Sequence, residues 1–156
     1  MDIKAYKMDG LGNDFVIIDQ RNKITKFSKE EIVKICNRNF IGCDQLIIIK
    51  ENKELDASLE FFNSDGSASD ACGNGVRCVA NFLSKENNKK EILLWTSSRI
   101  LKSNILKNNL VETEIGVAKT KWNEIPLSEN LNTENLDIKI SNINEDNNQH
   151  HGIVML

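Results

Sequence analysis

The sequence predicts an α+β fold in which a mixed or antiparallel sheet curls into a barrel around one central helix. Two helical patterns stand among about seven strand-like segments without regular alternation, which argues against a doubly wound parallel sheet. The second helical pattern, from about residue 73 to residue 85, carries one strongly apolar stripe. A sheet that wraps around this helix would bury the stripe.

The first half of the chain predicts four strands. The segment "DIKAYKMDG" (residues 2–10) is followed, after the loop "GLGND" (residues 10–14), by the β-branched run 16–18. The segments "CDQLIIIK" (residues 43–50) and "ASLEFFNSDG" (residues 57–66) predict two more strands, and the second of them ends in a turn. The "GLGND" loop is the first place to expect function, because it presents backbone between two strands.

Residues 27–40 predict an amphipathic helix. Ser28 is followed three residues later by Glu31, which is the pattern of a capping box. Apolar side chains then recur at helical spacing and predict a buried face that includes a cysteine: Ile32, Ile35, Cys36 and Phe40.

The central helix and the strands after it complete the first predicted domain, residues 1–116. The apolar stripe of the helix consists of Val76, Val79, Ala80 and Leu83. Residues 91–116 alternate in polarity and break at Ser97-Ser98 and at Asn108-Asn109, which predicts three strands in a meander.

Residues 117–156 predict the start of an incomplete second domain. This part contains Pro126, the single proline of the sequence, and many polar residues. Residues 144–151 are nearly all polar and predict an exposed loop, and no role is assigned to its histidines, His150 and His151. The final "HGIVML" predicts a strand that would need a partner, so we expect the chain to be incomplete.

The composition excludes several classes of protein. A net charge of -3 gives no broad basic surface, which argues against nucleic acid or an anionic membrane as a partner. We see no signal peptide, and the longest apolar runs are too short to span a bilayer, so the sequence predicts a cytoplasmic protein. Its cysteines are then expected to be free thiols. Their spacings, C-x6-C and C-x5-C, do not match zinc sites, so no metal is expected.

Cys72 stands where a loop becomes the central helix, in the stretch "SDGSASDACGNGVRCVANFL". The first turn of a helix leaves backbone N–H groups unpaired and is partly positive, so it binds carboxylates and stabilises a thiolate. Gly73 and Gly75 would let a ligand approach the backbone closely, and Asn63 and Asn74 can orient an ammonium or a carboxylate without adding charge. The pattern predicts an activated base or nucleophile within an anion-binding helix start.

A structural interpretation competes with the functional one for the other candidates. Three cysteines are expected to be small buried hydrophobic residues: Cys36, Cys43 and Cys78. Taken alone, Asn13 is typical of turn chemistry and Gln45 of a surface strand. A thiol redox role is the weaker alternative, because Cys72 and Cys78 lack the C-x-x-C spacing.

Three motifs, in order, strongly resemble the diaminopimelate epimerase family: "GLGNDFVIID", "GCDQLIII" and "FFNSDGSASDACGNGVRCVANFL". The segment "KWNEIPL" also resembles that family at the entry to its second half, so the resemblance extends over residues 1–126. It implies two similar halves, each with a barrel-like sheet around a central helix, and an active site between them. It also implies an isomerase that interconverts LL- and meso-diaminopimelate without pyridoxal phosphate, metal or other cofactor, on the route to lysine and peptidoglycan.

The resemblance implies a role for each matching residue. In that family two cysteines face opposite sides of the substrate α-carbon, and one removes a proton as thiolate while the other returns one as thiol. Cys72 matches the first of these cysteines, and Gly73 and Asn74 match the helix start that holds the α-carboxylate. Substrate-contacting positions of the family are matched by Asn13, Gln45 and Asn63.

The second half of that family supplies features that this sequence lacks. No second Cys-Gly-x-Gly and no "ERG" follow Cys78, so we expect the chain alone to be inactive as a two-base epimerase. Three explanations stay open: a truncated product, which we favour, one piece of a split enzyme, or a homodimer that brings two copies of Cys72 together. Two other functions also stay open, a non-catalytic module that binds small anions and another paired-cysteine racemase of the proline racemase type. The motifs "GLGNDF" and "CDQL" favour the diaminopimelate branch.

Overall fold

The computed structural model describes residues 3–70 and 72–135. Two compact units divide between Glu114 and Ile115. Within the described ranges, neither α-helix has the length and apolarity that crossing a bilayer requires. The predicted polar loop with His150 and His151 and the predicted terminal strand lie outside the described residues.

The first unit contains a mixed sheet and two α-helices. In the described part of the chain the strands are β1 Ala5–Gly10, β2 Asn13–Asp19, β3 Gln45–Lys50, β4 Ala57–Asn63, β5 Ala68–Ser69, β6 Glu91–Trp95, β7 Ile100–Ile105 and β8 Val111–Glu114. The helices are α1 Lys29–Cys36 and α2 Gly73–Asn87. The strand order is β1-β2-β3-β4-β6-β7-β8, with β5 paired to β4. The pairs β2–β3 and β4–β6 are parallel and the others are antiparallel, so the predicted mixed sheet is confirmed.

Helix α2 lies inside the curve of this sheet. It contacts β1 and β2 at one end of the strand order and β6, β7 and β8 at the other, which requires the sheet to curl around it. The predicted stripe is buried in full: Val76, Val79, Ala80 and Leu83. It packs against Phe15, Ile47 and Phe61 of the sheet, and burial of such apolar surface contributes about 25 cal/mol per Å². The predicted sheet around a central helix is therefore confirmed.

Helix α1 covers the opposite face of β2 and β3. The capping box is present, because Ser28 Oγ accepts from the Glu31 N–H at 3.3 Å and Glu31 Oε2 accepts from the Ser28 N–H at 2.8 Å. Ile32 and Cys36 are buried against outward-facing side chains of these strands, such as Val16. Both faces of β2 and β3 are covered, which explains why their sequences are continuously apolar rather than alternating.

The prediction of a buried helical position at Phe40 is wrong. Helix α1 ends at Cys36, Asn37 is extended (φ −64°, ψ 127°), and Phe40 is 61% exposed. The Asn37 side chain accepts from the Asn39 N–H at 2.8 Å, and this local bond competes with continuation of the helix.

The three strands after α2 form the predicted antiparallel meander. Strands β6, β7 and β8 pair in sequence, with breaks at the two predicted places. At the second break Asn108 and Asn109 have φ values of 62° and 61°, a left-handed conformation that asparagine tolerates better than most residues.

The second unit is described as far as residue 135. A short 3₁₀ helix spans Trp122–Glu124, and Thr133 Oγ1 donates to the Thr120 carbonyl at 2.6 Å. That residues 117–156 begin a second domain stays a prediction.

Candidate active site

The three strand residues predicted to contact a substrate lie at the same end of the sheet. Asn13 and Gln45 begin the parallel strands β2 and β3, and Asn63 ends the antiparallel strand β4. The strand register pairs Phe15 with Gln45 and Gln45 with Asn63. The topology therefore brings three amide side chains from distant parts of the sequence to one sheet end.

Gln45 and Asn63 are joined by a side-chain hydrogen bond. Gln45 Nε2 donates to Asn63 Oδ1 at 2.9 Å, and both residues are half-buried. Asn63 Nδ2 donates in turn to Ser67 Oγ at 3.0 Å, and the Asn63 N–H donates to the Ser67 carbonyl at 2.8 Å. These bonds fix the orientation of the Asn63 amide.

Asn13 enters β2 from a tight turn and contacts the start of α2. The turn residues Leu11 and Gly12 both have positive φ, 55° and 89°, as in the two-residue turns that match strand twist. Asn13 Oδ1 accepts from Asn74 Nδ2 at 2.6 Å, and Asn74 Oδ1 accepts from the Arg77 guanidinium. The predicted substrate residues on β2 and on the helix therefore form one hydrogen-bonded group.

Cys72 is the N-cap residue of α2. Its backbone is extended (φ −138°, ψ 111°), and its carbonyl accepts the Val76 N–H at 2.8 Å. Its side chain makes no capping hydrogen bond in the described residues. The N–H groups of the first helical turn, which include Gly73 and Asn74, have no acceptor within a helix by its geometry. The half-buried thiol thus lies beside backbone donors that can bind an anion.

The glycine at position 75 is explained by packing, which the sequence analysis did not predict. A Cβ at this position would lie 2.7 Å from Ile47 Cδ1 and 3.2 Å from Phe61 Cε1. At Gly10, a Cβ would lie 3.1 Å from the Asn74 carbonyl oxygen. The absence of side chains at these two glycines lets the first turn of α2 pack directly against the sheet, so Gly75 serves packing rather than ligand approach.

The other three cysteines are buried, as predicted. Cys36 and Cys43 are 3% and 1% exposed, and their sulfur atoms are 3.3 Å apart. Burial, together with the neighbouring Cys43 thiol, raises the pKa of Cys36 to about 12. Burial likewise raises the pKa of the Cys78 thiol, which is 5% exposed. Cys36 and Cys78 therefore favour the neutral form, and all three thiols lack the exposure of Cys72.

Sequence reasoning missed a charged cluster beside Asn13, which we call the aspartate clasp. It consists of Asp14, Asp44 and the Arg38 side chain that bridges them. Both aspartates stand inside the quoted motifs, in "GNDF" and "GCDQ", next to Asn13 and Gln45. An aspartate next to each of the predicted substrate-contacting residues Asn13 and Gln45 was the sequence feature that could have indicated this cluster. Within residues 3–70 and 72–135, no group of three or more His, Cys, Asp or Glu side chains converges to hold a metal ion.

The fold places the chain in a structural class with several solved proteins. A phenazine biosynthesis protein of the PhzF family from Bacillus anthracis matches with a TM-score of 0.55 and 19% identity, over 72% of this chain and 40% of that one. A hydroxyproline epimerase from Agrobacterium vitis, solved with trans-4-hydroxy-L-proline bound, matches with a TM-score of 0.56 and 12% identity, over 74% and 42%. At sequence identities this low, the similarity to these two proteins shows a shared fold.

Sequence comparison narrows the class to one family. The sequence profile described as diaminopimelate epimerase matches residues 5–121, and the chain belongs to the diaminopimelate epimerase family. The diaminopimelate epimerase of Pelagibacter ubique (strain HTCC1062) is 66% identical over 152 residues, 97% of this chain and 55% of that protein. That of Phenylobacterium zucineum (strain HLK1) is 38% identical over 133 residues, 85% and 48%. The chain spans about half the length of the curated relatives it matches.

Proposed function

We propose that this chain supplies one side of the active site of a cofactor-independent diaminopimelate epimerase, with Cys72 as one of two acid/base thiols. The observation that carries the proposal is the place of Cys72, half-buried at the start of α2. The hydrogen bond between Asn74 and Asn13 ties that helix start to the sheet end where the predicted substrate residues gather. The family membership supports the same reaction.

The proposed chemistry uses the helix start to stabilise developing charge. The Cys72 thiolate takes the α-proton, so that an S–H bond forms as the C–H bond breaks, and the electron pair moves into the α-carboxylate. That carboxylate is already anionic, which makes the step difficult. Backbone N–H groups of Gly73 and Asn74 bind it where the charge develops, and each such donor typically contributes about 3 kcal/mol.

Inversion of the centre requires a proton from the opposite face of the carbanion. We propose a second thiol as its donor, and this sequence contains no second Cys-Gly-x-Gly. The donor would therefore come from outside these 156 residues, either from a segment equivalent to the remaining length of the relatives or from a second copy of the chain.

Neutral amides suit the proposed substrate. Diaminopimelate carries two ammonium and two carboxylate groups, which balance in charge. Asn13, Gln45 and Asn63 each offer both donors and acceptors, so they can bind either kind of group without leaving an uncompensated charge.

We also propose the setting of the reaction. Interconversion of diaminopimelate isomers would serve lysine and peptidoglycan-precursor synthesis. The chemistry needs Cys72 as a free thiol, and the reducing cytoplasm maintains that state.

Thiol labelling of the 156-residue chain tests whether the substrate binds at this helix start. We expect iodoacetamide to modify Cys72 before the three buried cysteines, because only Cys72 is half-exposed. Diaminopimelate should slow that modification by about tenfold at a concentration about ten times its Kd, since the bound ligand covers the sulfur. Peptide mass spectrometry over time measures both rates.

Acetate and pimelate, which lacks the amino groups, are the matched control ligands. If either protects Cys72 as well as diaminopimelate does, the alternative of a general small-anion module is favoured. If diaminopimelate gives no protection at any concentration, the proposed substrate site is contradicted.

A further inference from the structure

The aspartate clasp takes no part in the chemistry proposed above. Arg38 donates to both oxygens of Asp14, at 2.5 and 2.8 Å, and to Asp44 Oδ1 at 2.7 Å. Lys7 also contacts Asp14, at 2.6 Å, and donates to the Gly42 carbonyl. Arg38 is thus the cation that joins the two carboxylates, although its side chain is 60% exposed.

The two aspartates also bind each other's backbone. Asp44 Oδ2 accepts from the Asp14 N–H, and Asp14 Oδ1 accepts from the Asp44 N–H, both at 3.0 Å. Two carboxylates this close repel each other unless a cation lies between them. Arg38 holds the pKa of Asp14 well below its usual range against the effect of burial, so Asp14 remains a carboxylate at neutral pH. The clasp holds the start of β2, at Asp14, against Asp44, the residue that precedes β3.

The clasp also sets the direction of the neighbouring amides. Asn13 Nδ2 lies 3.4 Å from Asp44 Oδ2, while Asn13 Oδ1 accepts from Asn74. At the other end of this chain of bonds the Arg77 guanidinium donates to Asn74 Oδ1. The Arg77 cation at one end of this chain and the Asp44 carboxylate at the other allow only one orientation of the Asn13 and Asn74 amides. If either amide were flipped, its NH₂ group would face a donor or its oxygen would face an acceptor.

We propose that Arg38 is a positioning residue, which orients the Asn13 amide for the ligand by bridging Asp14 and Asp44. The identity of that ligand, diaminopimelate, rests on the proposed function. The Arg38 bridge between the two aspartates does not rest on the proposed function, because it is present in the chain without any ligand. Without Arg38 the two carboxylates lose the cation between them and keep only their bonds to each other's backbone and the contact of Lys7 with Asp14. We then expect Asp44 to hold the Asn13 amide less firmly.

Arg38→Gln in the 156-residue chain tests this inference. We expect the side-chain amide signals of Asn13 and Asn74 to shift in ¹⁵N NMR spectra. We also expect the Kd of diaminopimelate, measured by protection of Cys72, to rise by about tenfold, which corresponds to one lost contact to a charged group. The rate of Cys72 alkylation without ligand should stay within about twofold of wild type, since the substitution leaves the helix start in place.

Arg21→Gln is the matched control. Arg21 makes a comparable bidentate bond to Asp19, at 2.9 and 2.6 Å, and contacts Glu86 at 2.6 Å. Asp19 is the last residue of β2, so this ion pair lies at the strand end away from Asn13. We expect Arg21→Gln to lower the melting temperature without moving either the amide signals or the Kd.

The outcomes separate positioning from general stability and from the proposed function. Unchanged amide signals of Asn13 in Arg38→Gln would overturn the inference, as would an equal loss of protection in Arg21→Gln.

Arg38→Lys keeps the charge but loses the planar fork, and we expect its Kd for diaminopimelate to fall between those of wild type and Arg38→Gln. A wild-type Kd in Arg38→Lys would overturn the bridging geometry. Shifted amide signals without protection by diaminopimelate even in wild type would support the positioning role and contradict the proposed function.

Discussion

Replacing Cys72 with serine is expected to slow interconversion of LL- and meso-diaminopimelate by about 10²- to 10⁴-fold, the usual contribution of a positioned acid or base. A serine hydroxyl fills similar space but is far less acidic than a thiol, so it does not supply the base near neutral pH. The assay uses a chimera that joins this chain to the part of the Pelagibacter ubique relative that it does not match. Because binding contacts are retained, the loss should appear in kcat rather than in KM.

Cys78→Ala in the same chimera is the control. Cys78 stands in the same helix but is buried, and burial raises the pKa of its thiol, so it stays neutral. We expect this variant to keep activity within about twofold, with some loss of stability from the smaller side chain. A Cys72→Ser chimera as active as the parent, or a parent chimera without activity, would contradict the proposed role.

Replacing Gly75 with valine is expected to lower the free energy of unfolding by about 2 kcal/mol or more, in the range that overpacked cores show. The first added carbon would lie 2.7 Å from Ile47 Cδ1 and 3.2 Å from Phe61 Cε1, and valine adds two methyl groups beyond it. The gain in helix propensity over glycine offsets only about 0.5 kcal/mol. Urea unfolding of the 156-residue chain, followed by circular dichroism, measures the change.

Lys85→Val provides the matched comparison, because Lys85 is an exposed position of the same helix. It carries the helix-propensity cost of valine without a clash, so the expected loss is about 0.5 kcal/mol. Gly75→Ala should be milder than Gly75→Val, because the end of the Ile47 side chain can move aside. If Gly75→Val is as stable as wild type, the start of α2 does not press against the sheet as described.

Local sequence patterns predicted most of the elements. The capping box at Ser28 and Glu31 and the stripe from Val76 to Leu83 depend on residues within a few positions of each other, and both are present. The breaks between the last three strands carry residues suited to turns, and they are also in place. Such features are visible in a sequence because the interactions behind them are short in range.

Two features that the sequence did not reveal have different physical reasons, one local and one between distant residues. Phe40 fits the helical spacing, but the local bond from Asn39 to Asn37 lies past the end of the helix. The close approach at Gly75 arises only once Ile47 and Phe61 are brought against the helix. The sequence around Gly75 alone does not indicate that Ile47 and Phe61 will lie so close to it.

The same limit applies to the candidate site. The resemblance named Cys72 and its polar neighbours residue by residue, and the structure places them at one sheet end. The sequence did not indicate a role for Arg38, because this residue lies in the turn after α1, far in sequence from Asp14, and surface arginines are common. Its importance follows only from the distances to two carboxylates that different strands supply.

Solvent exchange at the α-carbon tests whether the Cys72 thiolate takes the α-proton. The 156-residue chain is incubated with diaminopimelate in D₂O, and α-deuterium is measured by NMR for wild type and for Cys72→Ala. We expect wild type to exchange the α-proton about tenfold faster than the variant or more, which is a modest part of what a positioned base contributes. Equal rates in the two proteins would contradict it.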